Sequence, residues 1–470
     1  MQKLKEEIQR SVTAGSIGEV SWTDVTAWRA LVRTEKAEIR VSREKTETVD
    51  CEVWSDAIEA AIREKKTVWI PDIGHPIFLD RPIILESGCR IKADTNQMIA
   101  LMPHTQTCLV RNRNIMLGRQ AEVSLDQCDR DISVEGGIWS TLSVTADITN
   151  GNDVMTLGAD HPDYGHGVFI FSNIRRLSLQ NICLKSCKCH GIQLSNCEDF
   201  ICKDILFLNH HRDGVHINGP AKNAIIQSVQ GKNMGDDMVA LNAWDWYHST
   251  QTFGSISHIL VEDIVGENNE IRMLPGRKTF ADGKTLDCDI HHCVFEKLSG
   301  INIYKMYCQP NTERLADNDH SETVGNIHDM WFQNIVFDLN YYTGFAQEIK
   351  SGLFHMCADC HDITFSDIAI KQTKEDMRAR NAGLVRVGPL SFTHRLTEDP
   401  STWIEGFVPD AVCRANGIRF RNITIGGVKQ TQVDSLLIEP VKMQINEDYP
   451  HTTPRGGTGY GTIEDVSLDE

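Results

Sequence analysis

No stretch of the 470 residues approaches the run of about 18 apolar side chains that a membrane span requires. The start, Met1-Gln2-Lys3-Leu4-Lys5-Glu6-Glu7, lacks the apolar core of a secretory leader, so a cytoplasmic location is expected. Positive charge is scarce as well. Lys plus Arg number 47 against 65 for Asp plus Glu, a net charge of −18. Such a balance excludes nucleic acid and anionic membranes as main partners. Disorder is excluded in turn, because 41% of the residues are apolar and 24% charged.

Cysteine, by contrast, is plentiful: fifteen, an odd count in a chain too long to need staples. Cys357-Ala-Asp-Cys360-His361 has the spacing of haem attachment, and Cys187-Lys-Cys189-His190 offers zinc ligands. Haem attachment needs an exported context, and no second C-x-x-C stands near either cluster. The thiols are therefore read as reduced, small core hydrophobes, with no metal and no cofactor expected.

Length alone suggests about three domains, but the chain repeats itself. From about residue 130 the same unit recurs: Leu177-Ser-Leu-Gln-Asn-Ile182, Phe200-Ile-Cys-Lys-Asp-Ile205, Ile259-Leu-Val-Glu-Asp-Ile264, Met330-Trp-Phe-Gln-Asn-Ile335, Ile363-Thr-Phe-Ser-Asp-Ile368 and Ile418-Arg-Phe-Arg-Asn-Ile423. Each is a period-2 stretch ending in Asn-Ile or Asp-Ile, as in a short strand with one buried face. In the middle, His166, His190, Asp213 and Asp236 open similar segments 24, 23 and 23 residues apart. Strands at that interval without intervening helices predict a solenoid, and the leucine-rich pattern is missing. The fold class expected is all-β, a right-handed single-stranded parallel β-helix.

Val53–Ile62 has helical spacing, and Thr67-Val-Trp-Ile-Pro71 and Pro82-Ile-Ile-Leu85 follow as strands. A helix there would close the open end of the solenoid. The expected division is 1–50, an extension of unknown role with a helix at its start and a strand near 37–41; 51–430, the β-helix with its N-terminal helical cap; and 431–470, a tail whose Gly-rich segment reads as loop.

In the expected register, His166, His190, Asp213 and Asp236 share one column, and Asp237 follows directly. Three carboxylates then fall on two adjacent coils about 4.8 Å apart. Like charges so close push their pKa values apart, which supplies a general acid beside general bases, as glycosidic cleavage requires. Asp-Gly and Gly-Asp-Asp are also turn sequences; it is their alignment that points to a site.

The helix, the strand ending in Pro71 and the Pro82-Ile-Ile-Leu85 coil resemble the N-terminal cap of the pectin-lyase-like superfamily. Arg212-Asp-Gly-Val-His-Ile217, followed by Gly235-Asp-Asp-Met-Val-Ala240, resembles glycoside hydrolase family 28, the polygalacturonases. The resemblance implies Asp236 as general acid and Asp213 and Asp237 as the bases that activate water, with inversion at the anomeric carbon. It also shows departures. His211 and Arg212 replace the family's Asn and Thr, and His216 takes an often acidic position. The family's G-H-G and R-I-K motifs are absent as such; Arg272 and Lys305 stand near their places. These two are candidate substrate contacts or partners of the acids, and His190, His211 and His216 are candidate substrate contacts. Trp244 and Trp246, in a long segment after the acidic coil, are candidate stacking platforms for sugar rings.

The expected partner is thus an oligosaccharide, short and attacked from one end, with self-association left open. Rival readings are a calcium-dependent lyase or epimerase using Arg272 or Lys305 as base, a fructan transferase on the same fold, and a glycan-binding solenoid without catalysis.

Overall fold

The computed structural model is described for all residues except 15–19, 41–44, 104, 106, 116–126, 143–166, 188, 246–251, 281, 308–322, 342–350, 389–392, 395–403, 406–411, 441, 445–457 and 470. The chain is a parallel β-helix. Gly167–Cys187 pairs with His190–His210, which pairs with Val215–Met234, always in parallel. The stack continues through Ile256–Leu274, Ile290–Tyr307, Asn326–Phe337, Asp359–Ile370 and Val412–Ile425. Among the described residues no helix is long and apolar enough to cross a membrane.

The recurring Asn-Ile and Asp-Ile pairs mark the corners. Asn181, Asp204, Asp263, Asn334, Asp367 and Asn422 all have φ between 51° and 59°, the left-handed region that Asn and Asp tolerate. The Ile that follows each corner turns inward and is buried. Corner side chains also bond from coil to coil: Asn196 donates to Asn173 and Asn233 to Asn209, each at 2.9 Å. Inside, Phe295, Phe332, Phe365 and Phe420 stack with centroids 5.0–5.2 Å apart. Fourteen of the cysteines are described, none in a disulfide and all but Cys183 buried. No cysteine of either cluster contributes to a candidate metal group among the described residues; His190 alone of their residues does, with Asp213 and His216.

The helix Ser55–Lys65 buries Ala57, Ile58, Ala61 and Ile62 against the core. Arg33–Arg40 and Thr46–Val53 form an antiparallel hairpin beside it. The first helix, Gln2–Ala14, lies across the outside of the middle coils. Its Leu4, Ile8 and Val12 cover an outward column, Ile201, Ile225, Leu260, Val294 and Trp331, one residue from each of five coils. The Lys5 ammonium bridges Glu262 and Glu296 at 2.8 and 2.7 Å.

The C-terminal segment differs from the loop expected. Thr458–Asp469 is a further parallel rung on Val412–Ile425. Its Ile463, Val466 and Leu468 pack on the core with the same alternation as earlier rungs, which the neighbouring glycines obscured.

Candidate active site

Backbone pairing sets which acids face each other. Gly191 N–H donates to the Asp213 carbonyl and Gly214 N–H to the Asp237 carbonyl, both at 2.8 Å. The column is therefore Gly167, His190, Asp213 and Asp237; Asp236 is displaced by one residue from the place expected. The cause is a register shift: Ser195 faces Asn218 but Cys197 faces Ala221, so this coil gains a residue at Gly219-Pro220. His166, expected in the column, lies outside the described residues. Two glycines permit this packing. A Cβ on Gly214 would lie 2.8 Å from both the Met238 carbonyl and the Phe207 ring, and one on Gly235 would lie 2.5 Å from the His211 carbonyl.

Asp213 is fully buried. Its Oδ2 receives Arg272, His216 Nδ1 at 2.6 Å and, at 3.9 Å, His190 Nε2. Burial alone would raise its pKa, but Arg272, His190 and His216 outweigh it and hold the carboxyl well below the usual range. Asp237 is buried beside it, with Arg272 Nε at 3.0 Å and Lys305 Nζ at 3.5 Å. Lys305 also pairs with Glu270. Here burial wins over the two cations, and Asp237 is pushed up to about 6.

Asp236 stands apart. Its side chain is 27% exposed, and Arg212 approaches at 3.9 Å. Burial of the carboxyl, reinforced by the charge on Asp213, pushes it up to about 6. The three carboxylates thus divide into one held ionised and two protonated far more easily, the partly buried Asp236 among them.

Behind Asp213 lies a second layer that sequence reasoning missed. His216 Nε2 meets Asp245 Oδ2 at 2.8 Å, and Asn218 and Asn242 donate to that oxygen at 3.1 and 3.0 Å. Asp245 and Asp213 lift His216 to about 9 in spite of its burial. Its ring stacks on His190, centroids 4.1 Å apart. Asn218 and Asn242 face each other on consecutive rungs, a signal visible only once the 24-residue offset is known. Asp245 was hidden between two tryptophans.

His211 is buried next to the site. Trp244 is not a sugar platform: it is 3% exposed and packs edge-on to Phe253 at 5.2 Å, inside the core. The segment bends its indole inward because the rung there still needs an apolar filler. Trp246 lies outside the described residues. Arg272 and Lys305 do pair with the acids, which leaves little room for a cation. The ligand atoms of Asp213, Asp236 and Asp237 are close enough to share one, but Arg272 and His216 already neutralise Asp213. Burial lowers Arg272 and Lys305, yet their acidic partners outweigh it and raise both, so neither is suited to remove a proton.

No protein-family model and no curated sequence matches the chain. Solved structures do. An exopolygalacturonase from Thermotoga maritima is 11% identical, with 91% of this chain and 97% of that one covered, at a TM-score of 0.50. A family 28 exopolygalacturonase from Yersinia enterocolitica is 10% identical over 97% and 79%, at 0.47. The surface adhesin PfbA of Streptococcus pneumoniae is 10% identical over 86% and 90%, at 0.41. At such identities the likeness is one of architecture, and what this chain has in common with the Thermotoga protein is the parallel β-helix.

Proposed function

We propose that the chain is a glycoside hydrolase that cleaves pectin-like or related oligosaccharides with inversion. Asp236 acts as general acid on the leaving oxygen, and Asp213 and Asp237 activate water. The observation that carries the reading is the division of protonation within one cluster: Asp213 held ionised by Arg272, His190 and His216, and Asp236 raised to about 6 with part of its side chain open to solvent. The exopolygalacturonase architecture agrees with it. Short substrates attacked from one end suit a protein of net charge −18, which repels long polyanions. A reducing compartment suits its free thiols. Lyase chemistry fits less well, since both candidate bases are held protonated by their acidic partners.

The test is proton NMR of products from a panel of uronic-acid and neutral oligosaccharides, with and without EDTA. The inverted anomer should appear first, unaffected by chelator. In Asp236→Asn turnover should fall by about 100- to 10,000-fold, the usual worth of a general acid. An unsaturated product would move the chemistry to elimination. Binding without turnover would leave a glycan-binding solenoid.

A further inference from the structure

One corner of the coils is built from histidine. Ser257-His258, His291-His292, His328-Asp329 and His361-Asp362 occupy the same two positions on four successive rungs. The second residue of each pair turns the corner, with φ of 57°, 54°, 52° and 55°. Asp329 and Asp362 suit that turn, as Asn and Asp do at the Asn-Ile and Asp-Ile corners, whereas His258 and His292 take the place on the other two rungs. Five imidazoles and two carboxylates gather here, and the turn does not require the imidazoles.

The rings are ordered by the coil spacing. His291, His328 and His361 stack within 2° of parallel, centroids 4.9 and 4.7 Å apart. His258 and His292 stack at 5.2 Å. Their nitrogens converge: His291 Nδ1 lies 2.8 Å from His292 Nδ1, and Asp329 Oδ2 lies 2.8 Å from His328 Nδ1 and 4.0 Å from His292 Nδ1. The ligand atoms of His292, His328 and Asp329 all fall within 4.8 Å of one another. Zn²⁺ with ligands at about 2.1 Å spaces tetrahedral donors about 3.4 Å apart, so small side-chain rotations would close the set.

We propose that His292, His328 and Asp329 bind one divalent transition-metal ion of the Zn²⁺ kind. Imidazole nitrogen selects such ions over Ca²⁺ and Mg²⁺, which take oxygen. The side chains of His292, His328 and Asp329 are 40%, 21% and 38% exposed, so an ion can reach them from solvent. It would tie the rung Ile290–Tyr307 to the rung Asn326–Phe337.

Equilibrium dialysis of the full chain against ZnSO4, after chelator treatment, tests the proposal. His328→Ala, Asp329→Asn and Asp236→Asn are run alongside, with a parallel dialysis against CaCl2. The expected result is one Zn²⁺ per chain, kept in Asp236→Asn and not displaced by calcium. Affinity should fall by about 100-fold in His328→Ala and Asp329→Asn, since loss of even an outer partner costs about 10- to 100-fold. Soaked crystals should show an anomalous zinc peak between His292, His328 and Asp329, which does not depend on any variant folding. Absence of zinc binding, binding unchanged in both corner variants, its loss in Asp236→Asn, or no peak at the corner would overturn the assignment.

Discussion

Asp236 and Asp237 differ by one place in the chain and differ in what they can do. Both are raised to about 6, but Asp237 sits in the column with Asp213, buried under two cations, while part of the Asp236 side chain is open to solvent. Hydrolysis through Asp236 requires its protonated form, so kcat/KM should decline above about pH 6. Glu270 contributes to the rise of Asp236. Glu270→Gln is therefore expected to move the alkaline limb to lower pH, read from the pH–rate profile. A limb that stays in place would separate Glu270 from the acid. His216 gives a stability signature of its own. Its folded pKa, about 9, lies above the ordinary 6.5. The folded chain thus holds more protons than the unfolded one between these values. That stabilisation is complete below pH 6.5 and is lost as pH rises through 9. Melting temperatures taken across this window should fall in the wild type, and the fall should flatten in His216→Gln.

At the scale of the element, the first helix is explained by what it covers. Strand residues that face outward are normally polar: Ser178 precedes the column and Thr364 follows it. The five between are apolar because Leu4, Ile8 and Val12, spaced one helical turn apart, lie on them. Lys5 fixes the position of the helix against Glu262 and Glu296, and these partners outweigh burial to raise its pKa. Ile8→Ala should weaken docking by about 2–4 kcal/mol. Hydrogen exchange would show it as faster exchange in residues 2–14, with the underlying coils unchanged. Uniform acceleration throughout would mean that the helix is needed by the whole solenoid.

For the whole molecule, stability is largely a sum of contacts between neighbouring coils. The aromatic column is one set of these contacts. Phe332 lies fully buried between Phe295 and Phe365. Phe332→Ala should cost about 3–5 kcal/mol in urea unfolding. In a solenoid the loss is local, so the coils around Asn326–Phe337 should open first while the cap keeps its protection. The buried cysteines belong to the same inventory, as small fillers in the stack.

Periodicity revealed the solenoid because each coil repeats one local rule: apolar residues alternate inward, and Asn or Asp takes the left-handed corner before a buried Ile. The cap helix and the nearness of Asp213, Asp236 and Asp237 were legible on the same grounds. Which aspartate shares the column was not, since a single extra residue at Gly219-Pro220 shifts everything after it. Nor was the burial of Trp244, the place of the first helix on the middle coils, or the final rung at Thr458–Asp469. The link from Asp245 through His216 to Asp213 joins residues whose neighbourhood exists only when the coils are stacked. Local rules act along the chain and can be read there. Register and electrostatic neighbourhood act between rungs, and only the stacked structure decides them.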